Sequence, residues 1–207
     1  MTAAIALRGG LEAVVIGASA GGVQALSILL PALPAGAVVA VFIVVHLPRD
    51  RPSLLAEVFA RKCVLDVREA EDKEPIVPGR VYVAPANYHL LVDEGPCVAL
   101  SVDDLVHHSR PSIDVLFESA ARIYQHRLLG IILTGANEDG ADGLAAVHDA
   151  GGVTVVQEPQ SAQSPQMVLS ALKLRAPDHV LPLEEIAALL GTLASTTSAA
   201  GTRSELR

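Results

Sequence analysis

Three apolar runs in this chain stop at residues that can do chemistry. The run VVIG passes into the small-residue turn Gly17-Ala18-Ser19-Ala20-Gly21-Gly22. The run FIVV stops at His46. The run GIILTG stops at ANEDGADG, which carries Glu138, Asp139 and Asp142. Brought together, a hydroxyl, an imidazole and a carboxylate supply a nucleophile, a base and an orienter. The hydroxyl is inert until a base takes its proton. The imidazole titrates near neutral pH and can take and return that proton. The carboxylate fixes the tautomer and stabilises the imidazolium.

Each residue also has an ordinary structural role open to it. A serine at a strand-to-helix turn is often an N-cap. A histidine after an apolar strand is often structural. Asp139 and Asp142 both suit the first turn of a following helix, where the dipole favours negative charge. The turn at Ser19 reads as G-x-S-x-G, with the hydroxyl exposed at a sharp strand-to-helix turn. It also reads as a damaged G-x-G-x-x-G in which Ser19 replaces the second glycine. A dinucleotide fold wants an acidic residue about 20 positions on, at the end of the second strand. No Asp or Glu lies between Glu12 and Asp50, so the nucleophile reading gains.

The elements that must position these residues alternate. Strands are expected near 12–16, 38–45 and 63–70, with helices over 22–30 and from a cap at Asp50 or Ser53 to about Lys62. Residues 78–102 hold three short β-type runs, the last two separated by DEGP, a hairpin signal. They read as an insertion of antiparallel character. Then RPSIDVLFESAARIYQH reads as a helix, with Pro111 in its first turn. Ile113, Leu116, Phe117, Ala120 and Ile123 or Tyr124 lie at helical spacing and form its core face. GIILTG is a buried strand, followed by a helix from Gly140 to Gly151. VTVVQ and HVLPL are strands, and a last helix runs from Glu184 to about Leu190.

This pattern predicts a three-layer α/β fold: a doubly wound, mainly parallel sheet with an antiparallel β-hairpin insertion. In such sheets ligands bind at the carboxyl ends of the strands. Residues 1–10 read as a lead-in, 11–192 as one catalytic domain, and 193–207 as a small polar tail expected to be disordered.

Composition narrows the function. The chain has 207 residues, 51% of them apolar and 3% aromatic, so Val, Leu, Ile and Ala must build the core. That usage suits parallel strands covered on both faces. The formal charge is −8 with no Lys/Arg cluster, which argues against nucleic acid as a partner. Cys63 and Cys97 are the only cysteines and read as two reduced thiols. No apolar run reaches the ~20 residues that span a bilayer. A cytoplasmic protein that inserts in no membrane is expected. The remaining histidines show no metal-ligand spacing. His107 and His108 read as a solvated loop that could line a cleft, and Arg110 as a surface salt bridge or a contact to an acidic substrate.

In this order these segments resemble the catalytic domain of the chemotaxis protein-glutamate methylesterase (CheB) family. The similarity rests on VVIGASAGG, VVHLP, PGRVYVAPANYHLLV, RPSIDVLFESAA, GIILTGANEDGADG and DHVLPLEEIA, spread over about residues 13–190. The resemblance implies Ser19, His46 and Asp139, not Asp142, as the catalytic residues, with no metal or cofactor. It implies hydrolysis of γ-glutamyl methyl esters on the cytoplasmic helices of chemoreceptors or receptor-like proteins, and deamidation of certain glutamines. Ala20 stands where the family often has Thr. Ala136-Asn137-Glu138 stand where the family often reads Met-Gly-x. Typical members carry an N-terminal receiver domain, which this sequence does not include, so control by phosphorylation within it is not expected. Two alternatives remain: a non-catalytic module that binds receptor helices, and a phosphate- or nucleotide-binding domain using the helix start at Gly21-Gly22.

Overall fold

The computed structural model describes residues 10–46 and 53–193. The chain opens with β1 (Ala13–Ala18), α1 (Gly22–Leu29), β2 (Ala40–Val45), α2 (Leu55–Ala60), β3 (Asp66–Glu69) and β4 (Arg80–Val83). It continues with β5 (His89–Asp93), β6 (Cys97–Ser101), α3 (Ile113–Tyr124), β7 (Leu128–Ile132) and α4 (Ala141–Asp149). It closes with β8 (Val153–Gln157), α5 (Gln166–Leu174), β9 (His179–Leu181) and α6 (Leu183–Gly191). Seven strands form one parallel sheet in the order β3-β4-β2-β1-β7-β8-β9, and β5 and β6 form a separate antiparallel pair.

Both sheet faces are covered, which is why β1, β2, β7 and β8 are buried at every residue. Val14, Ile16 and Ala18 point into one core with Leu26 and Leu29 of α1, Phe59 of α2 and Ile186 and Leu190 of α6. Ala13 and Val15 point into the other core, with Leu116 and Phe117 of α3, Leu144 of α4, Met167 of α5 and the hairpin's Leu90 and Val98. No helix among the described residues is long and apolar enough to cross a membrane.

The register aligns the strand ends that matter. Ala18 pairs with Val45 and Gly17 with Ile132, so β1, β2 and β7 finish level. The ladder runs one step further: His46 N donates to Ala18 O at 3.1 Å, Leu133 N to Gly17 O at 2.9 Å, and Ser19 N to Thr134 O at 2.9 Å. The residues following three strands are thereby set side by side. The boundary between β1 and β7 is also where the strand order reverses, the usual ligand crevice of such a sheet.

Several elements differ from the sequence reading. Tyr82 and its neighbours do not belong to the antiparallel insertion, because β4 joins the main sheet parallel to β2 and β3. The β3–β4 connection is a loop, not a helix, and it leans on the hairpin through Lys73 N to Val98 O and Val98 N to Glu74 O. A parallel crossover without a helix leaves no periodic signal. The helix α5 has no clear sequence signal, since its apolar face, Met167, Val168 and Ala171, is short and follows a Gln/Ser/Pro-rich stretch. Pro111 precedes the N-cap, Ser112, and does not sit in the first turn of α3. Tyr124, and not Ile123, completes the buried face of α3. Leu54, not Ser53, is the N-cap of α2; Ser53 Oγ, one residue earlier, accepts from Leu55 N at 3.2 Å. The alternative cap Asp50, the lead-in through residue 9 and the tail from residue 194 lie outside the described residues.

Candidate active site

After β1 the chain makes a tight turn into α1. Gly21 is the helix N-cap, in the left-handed region at φ 84°, and no side chain caps the helix. A residue with a Cβ would be strained there. Ser19 is therefore not an N-cap, and its hydroxyl is left out of the helix's hydrogen bonding. Ser19 O accepts from Gly22 N at 2.8 Å. Thr134, just past β7, staples the turn: its carbonyl takes Ser19 N–H, and its hydroxyl donates to Ala20 O at 2.8 Å. Gln157 Oε1 in turn accepts from Thr134 N at 2.9 Å. Neither Ala20 N–H nor Gly21 N–H bonds to another described residue. These are the two amides beside Ser19 that can meet a developing oxyanion.

His46 Nε2 lies 2.7 Å from Asp139 Oδ2, with the His46 side chain 13% exposed and that of Asp139 fully buried. Asp139 accepts three further bonds, from Ser112 Oγ at 2.8 Å, Ile113 N at 2.8 Å and Asp114 N at 3.0 Å. Burial alone would push this carboxyl up. The bonds from His46 and from the Ile113 and Asp114 amides outweigh it and hold Asp139 below the usual carboxylate range. It is an ionised acceptor, so Nε2 carries the imidazole proton and Nδ1 presents the lone pair. The side-chain amide of Asn137 lies 3.3 Å from that Nδ1. Among the described residues no hydrogen bond joins the Ser19 hydroxyl to His46.

The ordinary structural role open to Asp139 was the first turn of the helix that follows it. Instead it sits at the N-terminus of α3, where exposed N–H groups and the helix dipole favour a negative charge. The exchange is reciprocal. Asp114, in the first turn of α3, caps α4, accepting from Gly140 N at 2.9 Å and Gly143 N at 2.6 Å. Burial lifts the Asp114 carboxyl to about 7, against the Gly143 bond and with the neighbouring Asp139 charge. Its second oxygen makes no hydrogen bond but lies 3.3 Å from His107 Nε2.

Glycines let the two helix starts come this close. A Cβ on Gly17 would lie 2.3 Å from Ile113 Cγ2, and one on Gly140 would lie 2.6 Å from Ile132 Cδ1. Ile113 is thus wedged against the end of β1, and its amide faces Asp139 as a result.

The structure also places the remaining candidates. Asp142 lies in the first turn of α4, as its spacing suggested. His107 is exposed and lines the cavity beside it, as expected of a cleft-side loop, and it also bridges Asp114 and Glu138, whose Oε1 is 3.4 Å from its Nδ1. Arg110 makes neither a salt bridge nor a free surface charge among the described residues. It ties Val102 O, Asp103 O and Asn87 Oδ1 together at the mouth of the hairpin. His107, Asp114 and Asp142 offer ligand-type atoms within 4.8 Å of one another, and the Asp114 amide is bonded to Asp139. An open cavity of about 550 Å³ lies there, lined by His107, Glu138, Asp142, Gln166, Leu169 and Lys173. Cys63 and Cys97 are both free. Ser112, Asp114, Thr134 and Asn137 were not singled out from sequence; their partners lie 20 or more residues away, beyond the reach of local spacing.

Comparison with known proteins gives a consistent match. A family model described as CheB methylesterase matches residues 14–190. A Leptospira interrogans protein (strain Fiocruz L1-130), provisionally named protein-glutamate methylesterase/protein-glutamine glutaminase, is 45% identical over 178 residues, 86% of this chain and 92% of that protein. Protein-glutamate methylesterase/protein-glutamine glutaminase 2 of Anaeromyxobacter dehalogenans (strain 2CP-C) is 42% identical over 85% of this chain, which spans only 51% of that longer protein. The crystal structure of the Thermotoga maritima CheB methylesterase catalytic domain superposes with a TM-score of 0.84 at 32% identity. It covers 89% of this chain and 99% of that domain.

Proposed function

The chain belongs to the CheB methylesterase family, and we propose that it hydrolyses γ-glutamyl methyl esters on the cytoplasmic helices of chemoreceptors or receptor-like proteins. His46 Nδ1 takes the proton of Ser19, and Oγ attacks the ester carbonyl. The tetrahedral oxyanion is held by the amides of Ala20 and Gly21. His46 returns the proton to the leaving oxygen, and methanol departs. A water activated by the same nitrogen then splits the acyl-enzyme to the glutamate carboxylate. Asp139 holds the ring's tautomer and balances the imidazolium. The same steps on a glutamine amide release ammonia, in keeping with the second half of the relatives' names. A cytoplasmic setting is part of this proposal.

The observation that carries it is the fully buried Asp139 carboxylate on His46, at strand ends in register with the Ser19 turn. The test is direct: supply methylated cytoplasmic receptor fragments and measure methanol, with ammonia from glutamine-bearing fragments as a second product. Release of methanol supports the esterase. Binding of the fragments without either product supports the non-catalytic module instead.

A further inference from the structure

One polar group stands where the proposed reaction needs space. Asp139 is an acceptor only, so the single lone pair of the neutral His46 ring is on Nδ1. Asn137 lies 3.3 Å from it and must present its NH₂ there. That lone pair is the one the Ser19 proton has to reach. Two donors cannot both align on one lone pair.

We propose that the Asn137 side-chain amide is a latch on the general base: it caps His46 Nδ1 at rest and must withdraw before Ser19 can hand over its proton. The inference rests on the Ser19–His46–Asp139 reading given above and makes Asn137 a positioning residue that acts through His46.

The latch is held loosely. Its distance is at the long end for a hydrogen bond. The other end of the amide, Oδ1, is buried with no hydrogen-bond partner, and an unmet buried acceptor costs free energy. An open cavity of about 320 Å³ adjoins it, lined by Asn137 with Ala136, Glu138, Gln166, His107 and His108. Rotation of the side chain into this cavity gives both ends of the amide water or substrate partners. The backbone need not move: Gly135 N remains on Ser164 O, and Asp139 remains on the α3 amides. Asn137 also stands at one of the loop positions where the sequence departs from Met-Gly-x, and a glycine there has no side-chain amide to cap the ring.

The test compares the full chain with Asn137→Ala. The first readout is the ¹⁵N resonance of His46 Nδ1, assigned against His46→Gln. The second is the rate at which a small fluorophosphonate labels Ser19, a step in which the Oγ–P bond forms, fluoride leaves and His46 takes the proton. In Asn137→Ala the Nδ1 resonance is expected to move to that of an uncapped nitrogen. Labelling is expected to quicken about tenfold, the size of one net hydrogen bond. An unmoved resonance would show that the cap does not form in solution. Slower or unchanged labelling at Ser19 would show that the amide does not oppose the base. Either result overturns the latch and leaves the nucleophile standing. Absence of Ser19 labelling in both proteins instead removes the nucleophile reading and the latch with it.

Discussion

Asp139 accepts from His46 Nε2, Ser112 Oγ, Ile113 N and Asp114 N, and that set decides its role. A carboxylate so ringed stays ionised and cannot rotate. Asp139→Asn keeps the size but places an NH₂ among donors, and His46 loses its anionic partner. Its kcat on methyl esters is expected to fall roughly 10³–10⁴-fold, as for loss of a tautomer-fixing carboxylate elsewhere. Steady-state methanol release checks this. Asp114 makes a different prediction. Its carboxyl titrates at about 7 in the folded protein and near 3.9 when unfolded. The folded state therefore binds the proton more tightly. The stability this group contributes is complete below about pH 4 and lost as pH rises through about 7. Between about pH 4 and 7 the wild type should lose stability relative to Asp114→Asn, read from urea midpoints at each pH. A parallel pH dependence in the two proteins would contradict the placement of Asp114. At this scale Ser19 and His46 were legible because each ends an apolar run. Glu138, Asp139 and Asp142 were separable only through the family resemblance, because the amides that select Asp139 belong to residues 113 and 114.

The site is built by elements that exchange caps. Asp139, preceding α4, serves the N-terminus of α3, while Asp114 of α3 serves the N-terminus of α4. The two helix starts are locked together, and Ile113 presses the pair against Gly17 of β1. Gly17→Ala puts a methyl group 2.3 Å from Ile113 Cγ2. It should destabilise by about 1–3 kcal/mol as overpacking, and reduce activity by shifting the Ile113 amide off Asp139. Adding Ile113→Ala removes the clash, so the double variant should be more stable than the sum of the single effects, with a coupling of about 0.5–3 kcal/mol. Denaturation of the four proteins of the cycle measures it; strict additivity would show that the wedge does not act. Strand and helix alternation was legible from β1 to β3 and from α3 to β8. The parallel pairing of β4 was not, because its crossover is a loop whose bonds go to β6. The helix α5 was hidden by its short apolar face.

At the scale of the whole molecule, two cores on either side of one sheet fix the strand ends, and the strand ends fix the chemistry. The doubly wound order places its reversal between β1 and β7, where the Ser19 turn meets the Thr134–Asp139 loop. That juxtaposition was legible in outline, since alternating strands and helices put ligand sites at carboxyl ends. Which strands were neighbours was not, because pairing partners are tens of residues apart. The central claim is acyl transfer through Ser19. The measurement that tests it most directly is methanol release from methylated receptor fragments by wild type and Ser19→Ala, at matched thermal stability. Release is expected to fall roughly 10³-fold or more in the variant. Equal release by the two proteins would contradict it.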